Sequence, residues 1–165
     1  MKSIKGIFIF VIGVVSGTFV GAQIAKKKYE EIANEEIEEK IRKITNRNIS
    51  MNFNYRIKKL NEIVVGGVNY FKLADMKTKL LELDGWIRRR LRACIWKTWK
   101  LVRTRIKNLM KLGIPKQKAF EFGNTRKGNW RISISPILSK TITNQRLINH
   151  GFKGLSSQYN KFRLS

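Results

Sequence analysis

The chain has 165 residues, with 35 basic residues against 11 acidic ones and a net charge of +24. That length allows one domain with a real core, and a lone cysteine and a lone histidine exclude a disulfide framework and any multi-cysteine zinc site within it. A single-sign excess of this size repels itself and is best tolerated beside a polyanion, so nucleic acid leads as partner on charge alone, with anionic lipid second.

In chain order, Gly6 to Ala25 is free of charge, and Ile7–Ala22 is apolar, glycine or small hydroxyl throughout. A run of that length just spans a hydrocarbon core at about 1.5 Å per helical residue. Lys2 and Lys5 precede it and Lys26, Lys27 and Lys28 follow it. Gly13, Gly17 and Gly21 recur every four residues and place a small-residue groove on one helix face. Residues 1–28 therefore read as a transmembrane helix, in the membrane through residues 7–25 and able to self-associate along that groove. The three lysines after the span put the basic C-terminal part of a single-pass protein on the cytoplasmic side. The competing reading is a cleaved signal peptide with Val20-Gly21-Ala22 as its processing site.

Residues 29–39 (YEEIANEEIEE) hold six of the eleven acids and read as a solvated, helix-compatible acidic linker. From Lys40 onward 30 basic residues face 5 acids, a net +25. The body of the chain is where the polycation lies.

Phe53, Ile57, Leu60, Val64, Val68 and Phe71 are spaced by three or four, which predicts a first long helix over that stretch. Gly66-Gly67 in its middle costs about 1 kcal/mol per glycine relative to alanine. A second helix is expected from Asp75 to Lys100, with Asp84-Gly85 as a point of interruption where Asp84 could cap a separate segment. The third runs from Val102 to Leu112, stopped by Gly113 with Pro115 beyond. Three helices with apolar seams and short connections make a small antiparallel bundle over residues 40–113.

Past Pro115, in residues 114–165, the signals shorten. Lys116 to Phe122 reads as two helical turns ended by Gly123. Asn124 to Arg131 reads as a loop with Arg126, Lys127 and Arg131 around Trp130. Ser135-Pro136 is an N-cap followed by proline at the first helical position, and Thr143 caps a short helix ending at His150-Gly151. The fold class is all-α: an N-terminal transmembrane helix, an acidic linker, a three-helix bundle, then short helices and loops.

The stretch from Val68 to Leu101 concentrates arginine and tryptophan on a leucine-rich pattern. On a helical wheel Ile87, Leu91, Cys94 and Leu101 share a sector about 80° wide, and Leu80 and Leu83 fall in it too. Arg88, Arg92 and Trp99 lie within about 40° of one another on another face. Guanidinium forks beside an aromatic plane suit a polyanion with stackable bases. The bland alternative is a solvated charged face opposite a core-facing one. Cys94, on the apolar side, reads as a small core residue.

Within this stretch NYFKLADMK, LDGWIRRRLR and CIWKTWK, followed by RTRIKNL and KLG, resemble the maturase-specific domain of group II intron reverse transcriptases. The likeness extends upstream through ITNRNISM and RIKKLN, and downstream through NTRKGNWR, SPIL and TNQRL, so it covers roughly residues 40–165. Nothing in residues 1 to 38 takes part, so the chain reads as a short membrane-protein N-terminus joined to the tail of an intron-encoded protein. The resemblance implies a three-helix thumb that grips group II intron RNA and helps it fold for splicing, with a following segment that contacts target DNA. Where that family carries an arginine and a tryptophan in the first helix, this chain has Val65 and Gly67.

The RNA contacts that follow are Arg56, Lys58 and Lys59 in the first helix, Arg88, Arg89, Arg90, Arg92, Lys97 and Lys100 in the second, and Arg103, Arg105 and Lys107 in the third. Arg126, Lys127, Trp130 and Arg131 join them from the loop. Trp96, Trp99 and Trp130 are stacking candidates whose competing role is core packing. No catalysis is expected: no Tyr-x-Asp-Asp motif occurs, and Asp75 and Asp84 are the only aspartates. His150 has no nucleophile beside it in sequence, no Walker-type loop appears, and no cofactor or metal is implied. Besides an RNA-binding fragment, two other readings stand: a membrane-anchored basic protein on anionic lipid, and a chimeric remnant without function.

Overall fold

A computed structural model of the chain describes residues 19–71 and 76–164. Among the described residues it is all-helical, with nine helices and no strand. The chain divides into two units, residues 1–39 and 40–165.

Helix α1 (Phe19–Ile44) includes the acidic stretch 29–39, whose glutamates and alanine favour a helix by intrinsic propensity. The transmembrane expectation is overturned here. No helix among the described residues is long and apolar enough to cross a membrane. At 26 residues α1 has the length, but from Lys26 onward it carries lysines, glutamates and an arginine at most turns. Each would have to enter hydrocarbon at a cost of several kcal/mol, on the order of +2.5–3.5 for one at the centre. The single-pass localisation, with its cytoplasmic C-terminal part and its membrane contact through residues 7–25, is corrected with it. Residues 7–18 of the apolar run, including Gly13 and Gly17, lie outside the described residues.

In the second unit, helix α2 (Phe53–Phe71) forms over the predicted span. Ile57, Leu60, Val64 and Val68 are buried along one face, as the 3–4 spacing requires. Gly66 looks into open space, with nothing within 4 Å of a Cβ placed there, so its cost to the helix is not offset by any close contact.

Helix α3 (Lys77–Thr98) runs without a break through Asp84 and Gly85. Leu80, Leu83, Ile87, Leu91 and Cys94 are buried on it, with Trp96. The Asp84 carboxylate turns away from its own backbone and caps a distant helix, described below. The helix ends two residues earlier than expected. The Trp99 N–H bonds back to the Trp96 carbonyl at 3.1 Å and Leu101 turns extended. Leu101 is thereby taken out of the helical register and is 52% exposed instead of lying in the apolar seam.

Helices α4 (Val102–Lys111) and α5 (Lys116–Gly123) form a hairpin around Gly113, which sits at φ +94° in the left-handed region that glycine enters without strain. They approach so closely that a Cβ on Gly123 would lie 2.5 Å from Ile106 Cγ1. Gly123 is therefore the last residue of α5 and a contact point for α4.

Four short elements follow: α6 (Asn129–Ile132), α7 (Pro136–Thr141), α8 (Asn144–Asn149) and α9 (Leu155–Leu164). Ser135 and Thr143 cap α7 and α8 as their sequence positions predict, accepting from Leu138 N and Arg146 N. Helix α6 begins inside the loop expected over Asn124–Arg131 and runs one residue past it, and α9 carried no recognised signal. Both pack back on the core, α6 against α3 and α9 against α2 and α3. Leu147, Leu155 and Tyr159 are buried in this layer. At about 1.5–3 kcal/mol per fully buried large side chain, the segment beyond Pro115 contributes materially to the core. Asn61 on α2 ties it down by donating to the Gly151 carbonyl at 2.7 Å and accepting from Lys153 N at 2.9 Å.

Candidate nucleic-acid interface

The cations expected to meet phosphate fall into two groups once the fold is in place. The first group is used inside the protein. Arg56 is buried at 4% exposure. Its guanidinium donates to the carbonyls of Ile44, Asn46 (3.1 Å) and Ile49 (3.0 Å), and so clamps the loop over residues 45–52. The fork geometry of arginine suits this, because several fixed donors converge on carbonyls that no helix satisfies.

Helix α3 holds the same loop from the other side. Arg90 Nε donates to Thr45 Oγ1 at 2.5 Å, Cys94 Sγ donates to the Thr45 carbonyl at 3.3 Å, and Lys97 Nζ donates to Asn48 Oδ1 at 2.8 Å. Thr45 in turn donates to the Ile41 carbonyl at 2.6 Å. The loop is fixed at both ends and in its middle.

Arg92 works on the C-terminal layer, donating to the Ile142 carbonyl at 2.9 Å and to Asn144 Oδ1 at 3.0 Å. Arg105 donates to the Trp99 carbonyl at 3.0 Å and sits 5.0 Å from the Trp96 ring centroid. Lys59 pairs with Glu62 at 2.8 Å on an exposed turn of α2. Burial holds the Arg90 guanidinium below its ordinary pKa, with the neighbouring Arg42 charge adding to the effect. Burial also lowers that of Arg92, helped by Arg88.

Of the tryptophans, Trp96 is fully buried and packs on Trp99 with ring centroids 5.6 Å apart, so it belongs to the core. Trp86 has two guanidiniums over its ring, Arg42 at 5.0 Å and Arg90 at 4.9 Å from the centroid. Trp130, on α6, is half-buried. Arg89 stacks on its ring at 3.9 Å and reaches its carbonyl at 3.4 Å.

The second group of cations faces solvent. Lys58, Lys100, Arg103, Lys107, Arg126, Lys127 and Arg131 are exposed and pair with no acid among the described residues. Arg103, Lys107 and Lys111 follow one another at four-residue intervals down α4, which carries no carboxylate. Arg88 is half-buried on α3. Of the five acids in this unit, Asp84 is buried and Glu62 is paired with Lys59, so neither offsets these cations.

A cleft of about 410 Å³ is lined by Arg42, Thr45, Asn46, Arg47, Asn48, Arg90, Ala93 and Trp130. No carboxylate among the described residues lines it. Sequence reasoning singled out Arg90 and Trp130 but missed Arg42, Arg47 and the two asparagines. The polar TNRN run between two helical patterns was the available signal. Among the described residues no cluster of histidine, cysteine and carboxylate could hold a metal ion, and what the site offers is charge, amide donors and an aromatic ring.

No curated protein matches the chain. Residues 34–113 match the family model described as the group II intron, maturase-specific domain. The match takes in the Arg56-clamped loop, α2, α3 and α4, and supports a group II intron maturase domain region in this part of the chain.

Proposed function

We propose that this protein binds group II intron RNA through its basic unit and assists the folding of that RNA. The observation that carries the reading is the coincidence of the maturase-specific match with a helical surface that exposes Lys100, Arg103, Lys107, Arg126, Lys127 and Arg131, none of which pairs with an acid among the described residues. Arg103 and Lys107 on α4, with Lys100 before it, supply one stripe for the phosphate backbone, and Arg126, Lys127 and Arg131 supply another. Arg56, Arg90, Arg92 and Arg105 support the scaffold that presents them. The protein acts by holding RNA in a productive shape, and the RNA carries out the splicing chemistry.

A salt-dependent titration of the full chain tests this, comparing a folded group II intron RNA with an unrelated structured RNA of equal length. Engaging six to ten phosphates makes affinity fall about 10³–10⁵-fold between 50 and 200 mM salt. The reading expects that slope and at least a tenfold preference for the intron at 150 mM, about 1.4 kcal/mol. Equal affinity for both RNAs would leave a polycation without maturase recognition.

A further inference from the structure

We propose that the cleft between the 45–48 loop, Arg90 and Trp130 is a site for one unpaired nucleotide of RNA, its phosphate on the guanidiniums and its base against Trp130. This rests on the RNA-binding reading above and adds a specific position to it.

Charge selects the phosphate. Arg42, Arg47 and Arg90 line the cleft, and no carboxylate among the described residues does. Arg90 already spends Nε on Thr45 and Nη2 on the Arg42 carbonyl. Arg47 is exposed and its guanidinium donates to nothing among the described residues, so its fork is open to an incoming oxyanion.

The walls select a base. Arg89 stacks on Trp130 and fixes the indole in place, and Trp130 is one of the residues that line the cleft. Planar bases stack on such a surface whatever their identity. Asn46 Oδ1 accepts from Asn48 N at 2.9 Å and Asn48 Oδ1 accepts from Lys97. With both oxygens engaged, the two side-chain NH₂ groups remain as donors for the carbonyl oxygens of a base. The loop that carries them is held by Arg56, Arg90, Cys94 and Lys97, so the donors stand in position before any ligand arrives. A cleft of about 410 Å³ suits a single small ligand. A base inside a duplex has both faces covered, which leaves unpaired nucleotides as the fitting class.

The test uses the full chain with two probes of equal charge: a uridine decamer, and a decamer of abasic ribose phosphates. The wild type should bind the uridine strand at least about fivefold more tightly. Trp130→Leu should erase that difference, and Trp130→Phe should keep most of it. Arg47→Gln should weaken both probes by a similar factor while leaving the thermal midpoint unchanged. Equal wild-type affinity for the two probes overturns the proposal even if both bind with a steep salt dependence, which would leave the RNA-binding reading standing. Failure to bind intron RNA as well as both decamers overturns the two together. The wild-type comparison needs no variant, so a poorly folding Trp130→Leu protein does not decide the matter.

Discussion

Asp84 and Gly154 meet so closely that a Cβ on Gly154 would lie 2.9 Å from Asp84 Oδ2. The contact exists because the Asp84 carboxylate, on α3, caps the N-terminus of α9. It accepts from Leu155 N at 2.7 Å, from Ser156 N at 3.0 Å and from Ser156 Oγ at 2.5 Å. A carboxylate is favoured there by the orphan N–H groups and by the helix dipole, and glycine at 154 lets the backbone come near enough. The residue that sequence reasoning placed at a break in one helix instead joins two helices.

Two substitutions test that joint. Asp84→Ala leaves buried amides without an acceptor and should cost about 2–3 kcal/mol. Gly154→Ala should also destabilise, by pushing the carboxylate off the cap, whereas Gly66→Ala, with open space around it, should stabilise by about 0.5–1 kcal/mol. Chemical denaturation of the three proteins checks the signs. A neutral Gly154→Ala would show that the cap tolerates displacement.

Arg56→Lys keeps the charge and removes the fork. An ammonium cannot reach the carbonyls of Ile44, Asn46 and Ile49 together. We expect a loss of about 1–3 kcal/mol, since three partly buried bonds from a charged donor are replaced by at most one. Hydrogen exchange should rise at the backbone amides of residues 45–52. If Arg56 were only a phosphate contact, this variant would fold as well as the wild type.

The helix pattern was legible in the sequence, and so was the core face of α2, because 3–4 spacing reports burial directly. The caps at Ser135 and Thr143 were legible because capping is local chemistry. The end of α3 at Thr98 was not, since neither glycine nor proline marks it and Leu101 continues the apolar spacing. The transmembrane reading failed because α1 runs on into a lysine- and glutamate-rich stretch rather than ending at the apolar run. At the candidate site, the arginine cluster was visible, but its division into clamps and free cations was not. That division depends on which carbonyls the tertiary fold leaves unpaired, as at Ile44 and Ile142. Helix α9 was missed because its cap, Asp84, lies on another helix.

Cys94 gives a pH-dependent signature. Burial pushes its thiol pKa above the ordinary value of 9.0, against the opposing pull of Arg56 and Arg90. A raised folded-state pKa means the unfolded chain ionises first. The stability this supplies is therefore complete below pH 9.0 and is lost as pH rises through the folded value. Thiol labelling at pH 8 should follow the rate of opening rather than the concentration of reagent. Rapid, reagent-dependent labelling of the folded protein would mean that the contact between α3 and the 45–52 loop opens readily.

Lys107 and Arg92 should separate binding from scaffolding. Lys107 is exposed on α4 and its side chain makes no bond among the described residues. Lys107→Gln should reduce the slope of log affinity against log salt by about 0.7–0.9 for RNA, with stability changed by no more than about 0.5 kcal/mol. Arg92 donates to Ile142 and Asn144 and is partly buried. Arg92→Gln should cost about 1–3 kcal/mol of stability and change the salt slope less than Lys107→Gln does. The two readouts come from one pair of proteins, by titrating RNA at four salt concentrations and by urea unfolding. A larger loss of slope at Arg92 than at Lys107 would place the phosphate contact on α3 and would reverse the division of labour between the two helices.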